Sequence, residues 1–189
     1  MEVKTVVAVR LSEGSLYYVV HMKYLVFADL HGSAEGLRLL QAAVKTENPD
    51  VLLCLGDTLF GAYDGDASAV ADYLAHHSPT VIGVRGNCDH IYDERTLGFA
   101  LPEEQILIFK GHRLLLRHAP FWSDFHSGDV VMYGHTHVKS LSKSRGVITL
   151  NPGSIGKPRD GSPSYAMIEE TGISLKNAST GALISFEEF

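Results

Sequence analysis

Apolar residues in this chain come in short runs, and most of the runs close on a polar stretch that contains glycine. Residues 23–28 form one such run, ending in Asp-Leu-His-Gly, and the pattern predicts a strand. Ser33 then stands where a helix N-cap is expected, and Leu37, Leu39, Leu40 and Val44 recur at helical spacing to about Thr46. Asn48-Pro49-Asp50 is a turn signal. Val51–Leu55 reads as a buried strand ending in Gly-Asp-Thr, and Gly61–Gly65 as a loop. Asp66–His77 predicts a second helix that Pro79 ends, and Val81–Val84 a third strand leading into Arg-Gly-Asn-Cys-Asp. Strands alternating with helices in this way predict parallel strands joined by right-handed crossovers.

The second half shows no long helical pattern. Gln105–Phe109 and Arg113–Arg117, joined through Lys-Gly-His, read as a hairpin. Asp129–Tyr133 leads into Gly-His-Thr-His, and Val147–Leu150 into Asn-Pro-Gly-Ser. Tyr165–Glu169, Ile173–Leu175 and Leu183–Phe186 alternate as strands do. The expected architecture is α/β in the first half and mostly antiparallel in the second, layered as two facing sheets with helices outside. Residues 1–21 differ: Val6–Val9 and Leu16–Val20 flank a Ser-Glu-Gly turn signal. A hairpin and an extension upstream of a domain spanning 22–189 are both open readings of that segment.

At 189 residues and 45% apolar content the chain suits one domain with a substantial core. The formal charge is −6, from 16 basic and 22 acidic side chains, and no basic stripe interrupts the sequence. That balance disfavours nucleic acid as the main partner. Cys54 and Cys88 are too few for a disulfide framework. No apolar run reaches the roughly 18 residues of a membrane span, and the N-terminus lacks a signal-peptide pattern. A cytoplasmic protein without a membrane partner is therefore expected.

The chemistry gathers at the strand ends, where parallel α/β sheets place their ligands. The first three strands close on Asp29 and His31, on Asp57, and on Asn87; two later ones close on His118 and on His135 and His137. Carboxylate and amide oxygens with imidazole nitrogens suit divalent Mn, Fe, Zn, Co or Ni. One carboxylate, Asp57, could bridge two ions, and two ions about 3.5–4 Å apart activate water and clamp a phosphate. Singly these motifs say little; in order, each after a predicted strand, they point to a metal centre. The remaining histidines do not fit this pattern. His76 and His77 close a helix, His112 sits in a hairpin turn, and His21 and His126 have no assigned partner. His90 is a candidate for the rim of the site.

In this order, Asp29-x-His31, Gly56-Asp57, Gly86-Asn87-x-Asp89, His118 and Gly134-His135-Thr136-His137 resemble the calcineurin-like metallophosphoesterases, and more closely their small YfcE-type phosphodiesterases. The stretches MKYLVFADLHG, VRGNCD, VMYGHTHV and NPGSIGKPRDGSPSYAMIEE carry the closer resemblance, which runs from Met22 to the C-terminus. It implies a four-layer αββα sandwich with two facing mixed sheets, and two divalent metals, with Mn a common activator. One metal would be held by Asp29, His31, Asp57 and His137. The other would be held by Asp57, Asn87, His118 and His135, with a hydroxide between the ions attacking phosphorus. Catalytic roles then fall to Asp57, Asn87 and His90, and substrate contact to Asn87, Cys88 and His90. Residues 151–154 would shape a loop beneath the site. A small phosphate ester is the expected substrate, and assembly with copies of itself is in keeping with such relatives.

Two departures stand out. Cys88 occupies the place where many relatives carry a histidine that stabilises the transition state or protonates the leaving group. The loss favours good leaving groups or another acid, for which His90 is a candidate beside its reading as a solvated loop histidine. Ala119 and Pro120 follow His118 in place of Gly and His. Two competing readings use the same fold: a protein-interaction scaffold like the retromer subunit that resembles it, and a nuclease. Completeness of the seven donors argues against the first, and the acidic balance against the second.

Overall fold

A computed structural model of the chain describes residues 6–10, 16–20, 22–62, 65–120 and 124–189. Val6–Arg10 (β1) and Leu16–Val20 (β2) pair antiparallel as a sheet of their own, with Val6 opposite Val20 and Arg10 opposite Leu16. This is the pairing expected of a hairpin; its connecting residues 11–15 lie outside the described residues.

Tyr24–Phe27 (β3), Val51–Cys54 (β4) and Thr80–Gly83 (β5) form a parallel trio. Between β3 and β4 runs Ala34–Glu47 (α1). Ser33 caps it, its hydroxyl accepting from the Gly36 amide at 3.1 Å, and Asn48 ends it in the left-handed region at φ 49°. The predicted helix over 66–77 is present, capped by Asp66, and its first part is Ala67–Asp72 (α2). It passes into a π-helical turn, Tyr73–His77, in which the Ser78 amide donates to the Tyr73 carbonyl. Pro79 ends the helix as the pattern predicts: the residue before proline is disfavoured in the helical region, and Ser78 leaves the helix in an extended conformation. Asp93–Leu97 (α3) was not predicted, being too short to show a period.

Glu104–Phe109 (β6) and His112–Arg117 (β7) form the expected hairpin, turning at Lys110 and Gly111, both at positive φ. Val130–Met132 (β8), Ser140–Ser144 (β9) and Val147–Asn151 (β10) complete a five-stranded sheet in the order β6-β7-β8-β10-β9. Pairing in the second half is mostly antiparallel, as expected, but β7, β8 and β10 are parallel to one another, which the pattern did not predict. Parallel neighbours ordinarily announce themselves by a crossover helix. None is found between Arg117 and Val130 among the described residues, so the sequence carries no helical period to signal the parallel pairing. Ser164–Glu169 (β11), Gly172–Asn177 (β12) and Leu183–Glu188 (β13) form an antiparallel meander beside β3, giving a six-stranded sheet β13-β12-β11-β3-β4-β5.

Strand alternation divides the core in two. Leu25, Phe27, Leu52 and Cys54 face the helices and pack on Leu37, Leu40, Val70 and Leu74. Val26, Ala28, Leu53 and Leu55 face the other way and meet Leu114, Leu116, Val130, Met132 and Leu150 of the second sheet. The molecule thus has two facing mixed sheets in an α/β sandwich. Among the described residues the helices lie on the six-stranded sheet, and the outward side of the five-stranded one carries Leu115, Val131 and Val147.

Candidate metal centre

Each sheet contains a parallel trio, and both trios end at the same edge of the sandwich. Just past those ends the chain turns sharply. Asp29, His31, Asp57, His135 and His137 all sit in the left-handed region, with φ of 53°, 55°, 54°, 66° and 60°. Non-glycine residues hold such angles only where surrounding structure enforces them. Here the loops after β3 and β4 are zipped together: the amides of Asp29, His31 and Gly32 donate to the carbonyls of Gly56, Asp57 and Thr58 at 3.0, 2.9 and 2.8 Å. Asp89 ties in the loop after β5. Its buried carboxylate accepts from the amides of Asp57, Thr58 and Gly86, each at 2.8 Å. Gly86 is required at its position because any side chain there would collide with the carboxylate and amide of Asp57.

Three imidazoles are fixed in tautomer by backbone carbonyls. Nδ1 of His31 faces the Phe60 carbonyl, Nδ1 of His118 that of Leu55, and Nδ1 of His137 that of Lys157, each at 2.7 Å. A carbonyl only accepts, so each Nδ1 carries the proton and each Nε2 presents its lone pair inward. These lone pairs then meet other acceptors. Nε2 of His31 lies 3.2 Å from Nε2 of His137, and Nε2 of His118 lies 3.0 Å from Oδ1 of Asn87. Asp57 gives one oxygen to the Cys88 amide at 2.8 Å. Its other oxygen sits 3.7 Å from Nε2 of His31 and 3.5 Å from Nε2 of His118, between the two groups. Nε2 of His137 is 3.4 Å from Oδ1 of Asp29, and Nδ1 of His135 is 2.8 Å from Oδ1 of Asn87. The electron pairs that His31, His118 and His137 turn toward other acceptors are reconciled by cations, and the donor set fits divalent metals of intermediate hardness.

The seven predicted donors therefore converge, in two groups that share Asp57. Ligand atoms of Asp29, His31, Asp57 and His137 all lie within 4.8 Å of one another, and the four residues are buried. The second group is more open: His118 is buried, but Asn87 and His135 are exposed to a cleft of about 250 Å³. Burial, and then the charge of Asp57, push the Asp29 carboxyl up to about 8. Burial lowers the pKa of His137, which keeps its ring neutral and its lone pair available at pH 7. Burial and the Asp57 carboxylate push the Cys88 thiol up to about 11, so it stays protonated.

His90 stands apart from the seven. It is exposed, and its ring meets the Phe60 ring edge-on, with centroids 6.4 Å apart. Residues 151–154 lie beneath the centre as expected. Asn151 donates to the Gly134 carbonyl and the Thr136 hydroxyl, both at 2.9 Å, and the Ser154 hydroxyl donates to the Asp29 carbonyl at 2.7 Å. The sequence reading missed the role of Asp89, although it stands within the Gly-Asn-x-Asp motif. It also missed the three carbonyls that orient the histidines, which no side-chain identity reveals.

Comparison with known proteins agrees with this geometry. The family description "Calcineurin-like phosphoesterase superfamily domain" matches residues 22–172. The chain is 32% identical over 168 residues to phosphodiesterase YfcE of Escherichia coli, covering 82% of this chain and 91% of that protein. It is 28% identical over 153 residues to a probable metallophosphoesterase, YsnB, of Bacillus subtilis, covering 78% and 83%. The solved structure of the E. coli phosphoesterase superposes with a TM-score of 0.82 at 27% identity, over 88% of this chain and 99% of that one. The lone pairs crowded at the strand ends and the likeness to these proteins agree: this chain belongs to the calcineurin-like phosphoesterase superfamily and is a metal-dependent phosphoester hydrolase.

Proposed function

We propose that the protein hydrolyses small phosphodiesters with two divalent cations, one taken by Asp29, His31, Asp57 and His137 and the other by Asp57, Asn87, His118 and His135. The observation that carries this reading is the carboxylate of Asp57, whose inner oxygen lies between His31 and His118. Bound metal ions would lower the pKa of water and neutralise charge on the phosphate. The chain's own residues do the rest. The Cys88 amide pins Asp57, the backbone carbonyls hold the imidazoles in one tautomer, and the exposed amide of Asn87 meets the substrate phosphate. Cys88, protonated and half-buried, and His90 at the rim are the proton donors nearest the leaving group in this reading. Both are modest replacements for a buried acid, so diesters with good leaving groups are favoured.

Manganese is the proposed activating ion, with Fe, Zn, Co or Ni fitting the same donors. Residues 22–189 are read as the working domain, residues 1–21 as an appended segment, and the cytoplasm as the compartment. The test is Mn²⁺-dependent release of p-nitrophenol from bis(p-nitrophenyl) phosphate. Asp57→Asn and His135→Ala are each expected to abolish release while the protein keeps its circular dichroism spectrum. Turnover that survives both changes sinks the assignment.

A further inference from the structure

The cleft against Asn87, His118 and His135 is completed by Arg85, Glu103 and Arg117. A diester's reacting phosphate carries a single charge, which two divalent cations already offset. Two guanidiniums in the same cleft exceed what that phosphate requires, and in a chain of net charge −6 their convergence beside the open group of donors is a local reversal. Arginine's planar fork matches phosphate in bidentate fashion.

Arg85 is held ready. Its Nε and Nη2 donate to the Leu101 carbonyl at 3.2 and 3.0 Å, and its backbone amide donates to the Pro102 carbonyl at 2.9 Å. A side chain fixed in this way loses little freedom when an anion arrives. Its Nη1 lies 3.4 Å from Glu103, whose side chain is 71% exposed. An ion pair so open to water is weak and easily exchanged. Arg117 ends β7 immediately before His118, so it reaches the cleft from the second sheet while Arg85 reaches it from the first. The cleft's 250 Å³ is below the roughly 300–1,000 Å³ of cavities that enclose whole drug-sized ligands, so it suits one part of a substrate.

We propose that this cleft is a subsite for a second phosphate, and that preferred substrates are phosphodiesters bearing another phosphate on one of the groups joined to the reacting phosphorus. The proposal rests on the hydrolytic reading above. The reaction itself is unchanged: water oxygen bonds to phosphorus, the bond to the leaving oxygen breaks with its electron pair going to that oxygen, and the water proton passes to solvent.

The experiment compares two chromogenic diesters under Mn²⁺: the p-nitrophenyl ester of thymidine 5′-phosphate, and the same ester with an added 3′-phosphate. The expected wild-type result is a kcat/KM about tenfold or more higher for the doubly phosphorylated ester, carried mainly by KM. Arg117→Gln and Arg85→Gln should each cut that ratio by about tenfold. Glu103→Gln, which removes the competing carboxylate, should raise it severalfold. Arg38→Gln, on the exposed face of α1, should leave the ratio unchanged. A wild-type ratio near one, or a ratio that persists in both arginine variants, overturns the subsite. If neither ester is cleaved with any metal, the hydrolytic reading fails instead. Calorimetric binding of thymidine 3′,5′-bisphosphate against thymidine 5′-phosphate then decides the subsite by the same ratio and the same variants.

Discussion

Left-handed backbone at Asp29, His31, Asp57, His135 and His137 costs on the order of 1–3 kcal/mol at each position, and the interlocked loops must supply it. Gly86 is the position with least slack, because a β-carbon there meets Asp57 directly. Gly86→Ala is therefore expected to weaken metal binding at least tenfold and to lower the melting temperature, read by metal titration and thermal denaturation. Asp29 gives a pH signature. Its carboxyl is raised from 3.8 to about 8 in the folded protein, so the native state holds this proton more tightly than the unfolded chain does. That contribution to stability is present below about pH 4 and is lost as pH rises toward 8. Melting of chelator-treated protein should lose this increment across the interval. The gain in melting temperature on adding Mn²⁺, which takes the place of the proton, should grow over the same range. A metal-induced gain that shrinks between pH 5 and 8 would contradict the assignment. At this scale the sequence was informative about donors, since Asp, Asn and His after apolar runs are visible as letters. It was silent about the carbonyls of Leu55, Phe60 and Lys157, which any residue offers.

Elements bring those residues within reach of one another. The carboxyl ends of β3, β4 and β5 supply the first half of the site, and those of β7 and β8 the second. Asp89 couples the loops after β4 and β5 through three amides. Asp89→Ala leaves those amides buried and unpaired at a cost of about 1–3 kcal/mol for each one that finds no substitute. The expected result is a lower urea midpoint together with weaker metal affinity; loss of affinity with an unchanged midpoint would show that Asp89 acts otherwise. The buried strands and α1 were legible because their apolar periods are strong. Ser140–Ser144 was not, because β9 is an edge strand of serines, a lysine and one leucine, with nothing to alternate. Its turn through Arg145 and Gly146, both at positive φ, was the readable sign. The parallel placement of β7, β8 and β10 escaped the reading because, among the described residues, no helix marks the crossover between β7 and β8.

At the scale of the molecule, β1 and β2 pair only with each other among the described residues, and the family description begins at residue 22. Removing residues 1–21 is expected to leave Mn²⁺-dependent turnover of bis(p-nitrophenyl) phosphate within about twofold. A collapse of turnover in the truncated protein, folded by circular dichroism, would make the segment part of the working unit. The two facing sheets and the presence of helices outside them follow from patterns visible in the sequence, whereas the convergence of the strand ends at one edge is a property of topology.

That convergence has a consequence during synthesis. The donors run from Asp29 to His137, and the supports beneath them extend to Asn151 and Ser154. A growing chain on the ribosome thus carries isolated histidines and carboxylates until most of its length has emerged. A complete metal site becomes available only to a chain whose two sheets have found their register, so hydrolytic activity marks completed folding and not merely completed translation.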